Sequence, residues 1–185
     1  MFSQSIAFLF QLTGWRIKGT APFEVKKAIW VVIPHTSNFD FFIGLGTRAV
    51  LKMDIGYLAK KELFRWYSGW FFRKLGGYPV ERKKATNLVD AVAKTFQEHD
   101  TIHIAIAPEG TRKDVKKLKS GFYYMALGAQ VPIIPVCFNW TAQQVIIGNP
   151  LFPTGDFNTD VQKIYAFYLE NSDVRKSWLQ GENAN

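Results

Sequence analysis

The 185-residue chain has little with which to tie itself together covalently or through a metal: one cysteine, Cys137, and three histidines, His35, His99 and His103. A single cysteine excludes an intrachain disulfide, which fits a reducing compartment. These four side chains show no zinc-ligand spacing, so no metal site is expected. His103 alternates within an apolar strand-like run and His99 ends a helix-like segment, which reads as structural placement for both. A Ser/Pro/Gly-rich linker, an internal repeat and a low-complexity tract are also missing, so a single domain is expected. Residues 121–155 carry no charge, yet Pro132, Pro135, Pro150 and Pro153, with Asn139, Gln143 and Gln144 between them, break any lipid-exposed helix there. No segment is expected to span a bilayer. Met1–Gly14 lacks a basic start and a small-residue cleavage site, so no signal peptide is expected.

What the chain does have is apolar and basic. With 48% hydrophobic and 16% aromatic residues, it can bury a substantial core. Its formal net charge of +8 is concentrated in two places. Lys60–Lys84 holds eight basic residues against Glu62 and Glu81, and Arg112–Lys119 holds five against Asp114, leaving the rest net acidic. Such clusters suit an anionic substrate, an anionic lipid surface, or both. No nucleic-acid motif accompanies them, so nucleic acid is not an expected partner.

Patterning gives an alternating order. Strands are expected at Trp15–Lys18, Ala28–Ile33, Ile55–Ala59, Tyr78–Val80, Thr101–Ala107, Val131–Phe138 and Gln144–Ile147, and helices at Phe39–Leu51, Lys61–Lys74, Asn87–Glu98, Gly121–Leu127 and Phe157–Leu169. This order predicts an α/β fold, a mixed and largely buried sheet flanked by helices. Met1–Thr13 is apolar over most of a helical circumference and too short to cross a bilayer of about 30 Å. It either lies in the membrane interface or packs on the domain's own core. In Lys61–Lys74 tryptophan, tyrosine and arginine interleave, as at a membrane headgroup layer.

Two short blocks carry the chemistry: Pro34-His35-Thr36-Ser37-Asn38-Phe39-Asp40 and Ala107-Pro108-Glu109-Gly110-Thr111-Arg112. In continuous helix, residues five apart point about 140° away from each other, so His35 and Asp40 can meet only across a turn. Pro34 disfavours helix at Ile33, and Ser37 or Asn38 is a natural N-cap that puts Asp40 in the first turn. A carboxylate there can accept from the histidine Nδ1 and leave Nε2 free to take a proton, which makes a general base. Ser37 lacks a G-x-S-x-G elbow and is expected to cap the helix or steady the turn. In an open α/β sheet, loops leaving strand ends form sites, so both blocks can face one crevice.

His35–Asp40 resembles the H-x4-D signature of the glycerolipid acyltransferase family, whose members include lysophosphatidic acid acyltransferases. Three further blocks resemble that family in the same order: Gly76-Gly77-Tyr78-Pro79-Val80-Glu81-Arg82, then Ala107–Arg112, then Val131-Pro132-Ile133-Ile134-Pro135-Val136. Beside the interfacial helix expected over residues 1–14, the resemblance implies an acyltransferase domain over 15–185. It implies that His35 takes a proton from an acceptor hydroxyl, whose oxygen attacks an acyl thioester, acyl-coenzyme A or acyl carrier protein, with Asp40 orienting the base. Backbone N–H groups near Gly110 are expected at the oxyanion. Arg82 and Arg112 suit a phosphate by their planar forks, and the resemblance assigns Arg82, Glu109, Gly110, Thr111 and Arg112 to acceptor binding. Glu109 is expected either to accept hydrogen bonds from the acceptor or to shape its loop. The fourth block is expected to be a core strand whose neighbours help line the acyl channel. No metal or enzyme nucleophile is needed, and no cofactor is expected besides the thioester co-substrate.

Lysophosphatidic acid is the first acceptor implied, with the enzyme on the cytoplasmic membrane surface as a peripheral protein. Pro34, Ala107 and Pro79 depart from the family's usual residues at their positions and leave the acceptor open. Another lyso-lipid or glycolipid acceptor, acyl transfer between phospholipids, and a catalytically silent lipid-binding relative are the alternatives. The family's longer hydrophobic N-terminal region has no counterpart here, which implies a looser membrane attachment.

Overall fold

The computed structural model describes residues 2–80 and 85–180. In chain order, helix α1 (Phe2–Leu12) leads to strands β1 (Arg16–Lys18) and β2 (Lys27–Ile33), helix α2 (Asp40–Leu51) and strand β3 (Ile55–Lys60). Helix α3 (Gly69–Lys74), strand β4 (Gly77–Val80), helix α4 (Ala85–Gln97) and strand β5 (Ile102–Ile106) follow. Helix α5 (Gly121–Ala129), strands β6 (Ile133–Asn139) and β7 (Gln144–Ile147), and helices α6 (Phe157–Asn171) and α7 (Ser177–Gln180) complete it. The strands form one seven-stranded sheet in the order β1-β7-β6-β2-β5-β3-β4. Every adjacent pair is parallel except β6 with β7.

The central strands are apolar on both faces because both are covered. Ile29, Val31 and Ile33 of β2 meet Phe122, Tyr123 and Met125 of α5 and Ile164 and Tyr168 of α6 on one side. Ala28 and Trp30 point the other way, into a cluster with Phe10 of α1, Ile43 of α2 and Trp15. This mixed, buried sheet between helical layers is the architecture the sequence predicts. The chain from β2 therefore turns into α2 on one face, whereas the chain from β5 turns into α5 on the other. The neighbouring carboxyl ends of β2 and β5 make a topological switch point, where an open α/β sheet leaves a crevice.

Two local expectations need correction, and one short helix was not expected. The aromatic helix over Lys61–Lys74 is a 310 turn at Lys61–Leu63 followed, after a break, by the short α3. The Ser68 hydroxyl donates to Leu63 O at 2.8 Å, and such side-chain bonds compete with a continuous helix. No side chain caps α2: Phe39 occupies the N-cap, and Ser37 instead accepts the Phe39 N–H at 3.1 Å, steadying the turn. Helix α7 is absent from the sequence reading; at four residues it is too short to show a helical period.

Helix α1 packs on the domain's own core and also keeps apolar side chains exposed. Phe10 is buried against α2, where Gly46 leaves room for its ring, whereas Phe8, Leu9 and Leu12 face outward. No helix among the described residues is long and apolar enough to cross a membrane.

Candidate active site

β2 delivers Pro34 and His35 at its carboxyl end, and the chain turns at once into α2. Asp40, 5% exposed, sits in the first turn of that helix. Its Oδ2 lies 2.9 Å from His35 Nδ1 and accepts the N–H groups of Thr36 at 2.8 Å and Ser37 at 2.9 Å. Its Oδ1 accepts the indole N–H of Trp140 at 3.2 Å. Burial pushes the Asp40 carboxyl up, but the bonds from the His35 ring and the Ser37 and Thr36 amides outweigh it, so the group stays below its ordinary 3.8. An ionised carboxylate only accepts, so Nδ1 carries the imidazole proton and the lone pair is on Nε2. The His35 side chain is 33% exposed and so open to a reactant.

The second block leaves β5 beside this turn. Glu109, 2% exposed, points inward. Its Oε2 accepts the His35 backbone N–H at 2.5 Å, and its Oε1 faces the Lys176 ammonium at 3.2 Å as an ion pair, off the line of a directed hydrogen bond. Both oxygens are thus engaged within the protein, as a loop-shaping residue requires. Gly110 has φ +64°, and its N–H donates to Ala107 O at 3.1 Å, so that amide closes a turn instead of facing the crevice. A side chain at 110 would also meet Lys119 Nζ, whose ammonium lies over the glycine. Thr111 Oγ1 accepts the Lys113 N–H at 3.2 Å. Arg112 is exposed, and its Nη1 donates to Asn38 Oδ1, joining the two blocks directly. Arg82 lies outside the described residues. The Val131–Val136 block is buried throughout and forms most of β6.

The structure therefore brings His35, Ser37, Asp40, Glu109, Gly110, Thr111 and Arg112 together at the carboxyl ends of the neighbouring central strands β2 and β5. Sequence reasoning missed two neighbours, Trp140 and Lys176. Trp140 follows β6 with no motif to mark it, and Lys176 is one of several charges in a polar stretch. Among the described residues no three His, Cys, Asp or Glu side chains group as metal ligands. Phe39 at the N-cap of α2, Phe42 within it, and Leu63, Trp66, Tyr67, Trp70 and Phe71 around α3 are exposed apolar side chains, Trp66 at 92%. Lys61, Arg65 and Arg73 are exposed among them.

A family model described as Acyltransferase matches residues 15–139, from the first core tryptophan through β6, and includes both blocks. The chain belongs to the acyltransferase family. Human 1-acyl-sn-glycerol-3-phosphate acyltransferase beta is 30% identical to this chain over 144 residues, which is 75% of this chain and 50% of the human protein. A Salmonella typhimurium protein named 1-acyl-sn-glycerol-3-phosphate acyltransferase is 28% identical over 155 residues, 78% of this chain and 61% of its own. A Saccharomyces cerevisiae protein of the same name is 28% identical over 128 residues, 65% and 41% of the two chains. The chain spans about half the length of the curated relatives it matches. In three dimensions it superposes on the crystal structure of a lysophosphatidic acid acyltransferase, PlsC, from Thermotoga maritima with a TM-score of 0.58. That match, at 21% identity, covers 99% of this chain and 80% of the other, and it shows that the two share a fold.

Proposed function

We propose that this acyltransferase moves a fatty acyl group from an acyl thioester, acyl-coenzyme A or acyl carrier protein, to the free hydroxyl of a lysophospholipid. 1-Acylglycerol-3-phosphate is the first acceptor to try. The observation that carries the reading is the His35–Asp40 pair: an imidazole one-third exposed, held at 2.9 Å by a carboxylate that also accepts from the Thr36 and Ser37 amides and the Trp140 indole. His35 Nε2 takes the acceptor's hydroxyl proton as its oxygen attacks the thioester carbonyl. The tetrahedral intermediate collapses, the C–S bond breaks, and the imidazolium returns the proton to the thiolate. An ester and a free thiol result. A positioned base of this kind contributes about 10²- to 10⁴-fold. The thioester is already activated, so the sequence as written calls on no metal, cofactor or enzyme nucleophile.

Arg112, with Arg82, would hold the acceptor's phosphate through their planar donor forks. The exposed aromatic and basic side chains around α3 would rest on an anionic bilayer, the tryptophans and tyrosine at headgroup depth and the lysines and arginines on the lipid phosphates, each worth about 1 kcal/mol near the surface. α1 would add Phe8, Leu9 and Leu12 to the same contact. A peripheral location on the cytoplasmic membrane surface is part of this proposal.

Palmitoyl-coenzyme A and 1-acylglycerol-3-phosphate in detergent micelles, followed by thiol release and phosphatidic acid formation, test the reading. The expected outcome is acceptor-dependent product that is lost in a folded His35→Ala variant. Thiol release without acceptor would make the protein a thioesterase instead. Inactivity with a broad panel of lyso-lipid and glycolipid acceptors and both donor types would overturn the reading.

A further inference from the structure

Lys176 lies beyond the segment that the family model matches, yet it is 5% exposed and reaches the centre of the site. We propose that Lys176 is a positioning residue for His35, acting through Glu109: its ammonium pairs with that buried carboxylate and keeps it aimed at the His35 amide. The proposal rests on the acyl-transfer reading of His35.

Burying a carboxylate this deeply is costly unless a cation is paired with it, and removing that partner favours a side chain that turns away. Among the described residues Lys176 is the one cation in an ion pair with Glu109. The oxygen opposite that pair accepts the His35 N–H at 2.5 Å. This bond anchors the backbone just before the Thr36 and Ser37 amides, which in turn hold Asp40. Losing the counter-charge would slacken the turn that brings imidazole and carboxylate together. The histidine would remain, but out of line.

The lysine is held in place from the same side. The N–H of Ser177 donates to Asp114 Oδ1 at 3.1 Å, and its hydroxyl donates to the same carboxylate, in the loop that follows Arg112. Trp178 is buried against Tyr165 and Tyr168, and the Tyr168 hydroxyl donates at 2.5 Å to Val31 O, on the strand that ends at His35. The C-terminal segment thus grips both the motif loop and the strand, and Lys176 is the charge it inserts between them.

Four variants test this: Lys176→Met, Lys176→Arg, Glu109→Gln, and Glu109→Gln with Lys176→Met. Two readouts are taken: steady-state kinetics with palmitoyl-coenzyme A and 1-acylglycerol-3-phosphate, and the NMR shift of the His35 backbone amide. Lys176→Met is expected to lower kcat by about 10- to 100-fold through misplacement of the base. KM for each substrate should stay within about threefold, and the His35 amide proton should move upfield as its bond to a charged acceptor weakens. Lys176→Arg is expected to keep most of the activity. In the Glu109→Gln background, where no charge needs compensation, adding Lys176→Met should cost less than about threefold. That comparison also decides the matter if Lys176→Met alone does not fold. An unmoved amide with wild-type kcat, or the same loss in both backgrounds, would overturn the proposal. If the wild-type protein acylates no acceptor, the acyl-transfer reading falls, while the amide shift still reports on Lys176, Glu109 and His35.

Discussion

At the scale of single residues, Asp40 does two things at once. It orients His35, and it collects two backbone amides and the Trp140 indole that shape the turn. Asp40→Asn keeps the size but loses the charge that fixes the imidazole tautomer, so kcat is expected to fall by about 10²- to 10⁴-fold with little change in KM. Kinetics beside a circular-dichroism check of folding would test this. Asp40 also contributes to stability. Its carboxyl is held below the ordinary 3.8, so that contribution is complete above the unfolded value and is lost as pH falls through the folded one. Denaturant titrations from pH 6 downward should show a drop below about pH 4 that is smaller in the Asp40→Asn variant. This pairing was readable from the sequence because a proline, a turn and an N-terminal helical position are local signals. Trp140 was not readable, since its contact with Asp40 depends on how β6 lies beside β2.

At the scale of elements, helix α1 is packed on α2, whereas the region around α3 is largely exposed and carries the proposed membrane contact. Gly46 of α2 faces the Phe10 ring so closely that a Cβ there would come within 2.2 Å of it. Gly46→Val is therefore expected to push α1 off α2 and cost about 1–3 kcal/mol, measured by chemical denaturation. Around α3 the expectation is reversed. Trp66 and Trp70 are exposed, so changing both to serine should leave the melting temperature nearly unchanged. The same change should weaken binding to vesicles containing phosphatidylglycerol by about tenfold or more, because interfacial affinity scales with the apolar area buried. Co-sedimentation would measure it, and unchanged binding would remove α3 from the membrane contact. The break at Ser68 escaped the sequence reading because aromatic periodicity alone does not register a competing hydroxyl bond.

At the scale of the whole molecule, the two-layered core sets what can open. Cys137 lies in β6 with its thiol pushed up to about 12, by burial first and then by the nearby Asp173 charge. A thiol in that state does not react, so at pH 8 its labelling by a disulfide reagent is expected to track global unfolding across a denaturant series. Rapid labelling in native buffer would show instead that β6 opens locally. Asp160 ties the α5 layer to the loop before α6. It accepts from the Tyr123 hydroxyl at 2.9 Å and the Thr154 amide at 2.7 Å, and pairs with Lys163 at 3.2 Å. Asp160→Asn is expected to cost about 3 kcal/mol, seen as a lower melting temperature, because donors shaped around a charge lose it.

The α/β layering, the strand order along the chain and the His35–Asp40 pair followed from the amino-acid sequence alone. Hydrophobic period and turn chemistry act over a few residues and leave a pattern that can be read in one dimension. Only the tertiary structure decided that Glu109 faces inward to the His35 backbone, that Arg112 meets Asn38, and that Lys176 supplies the buried counter-charge. Those contacts join segments far apart in the chain, and their energies depend on burial and mutual distance, which no local spacing encodes.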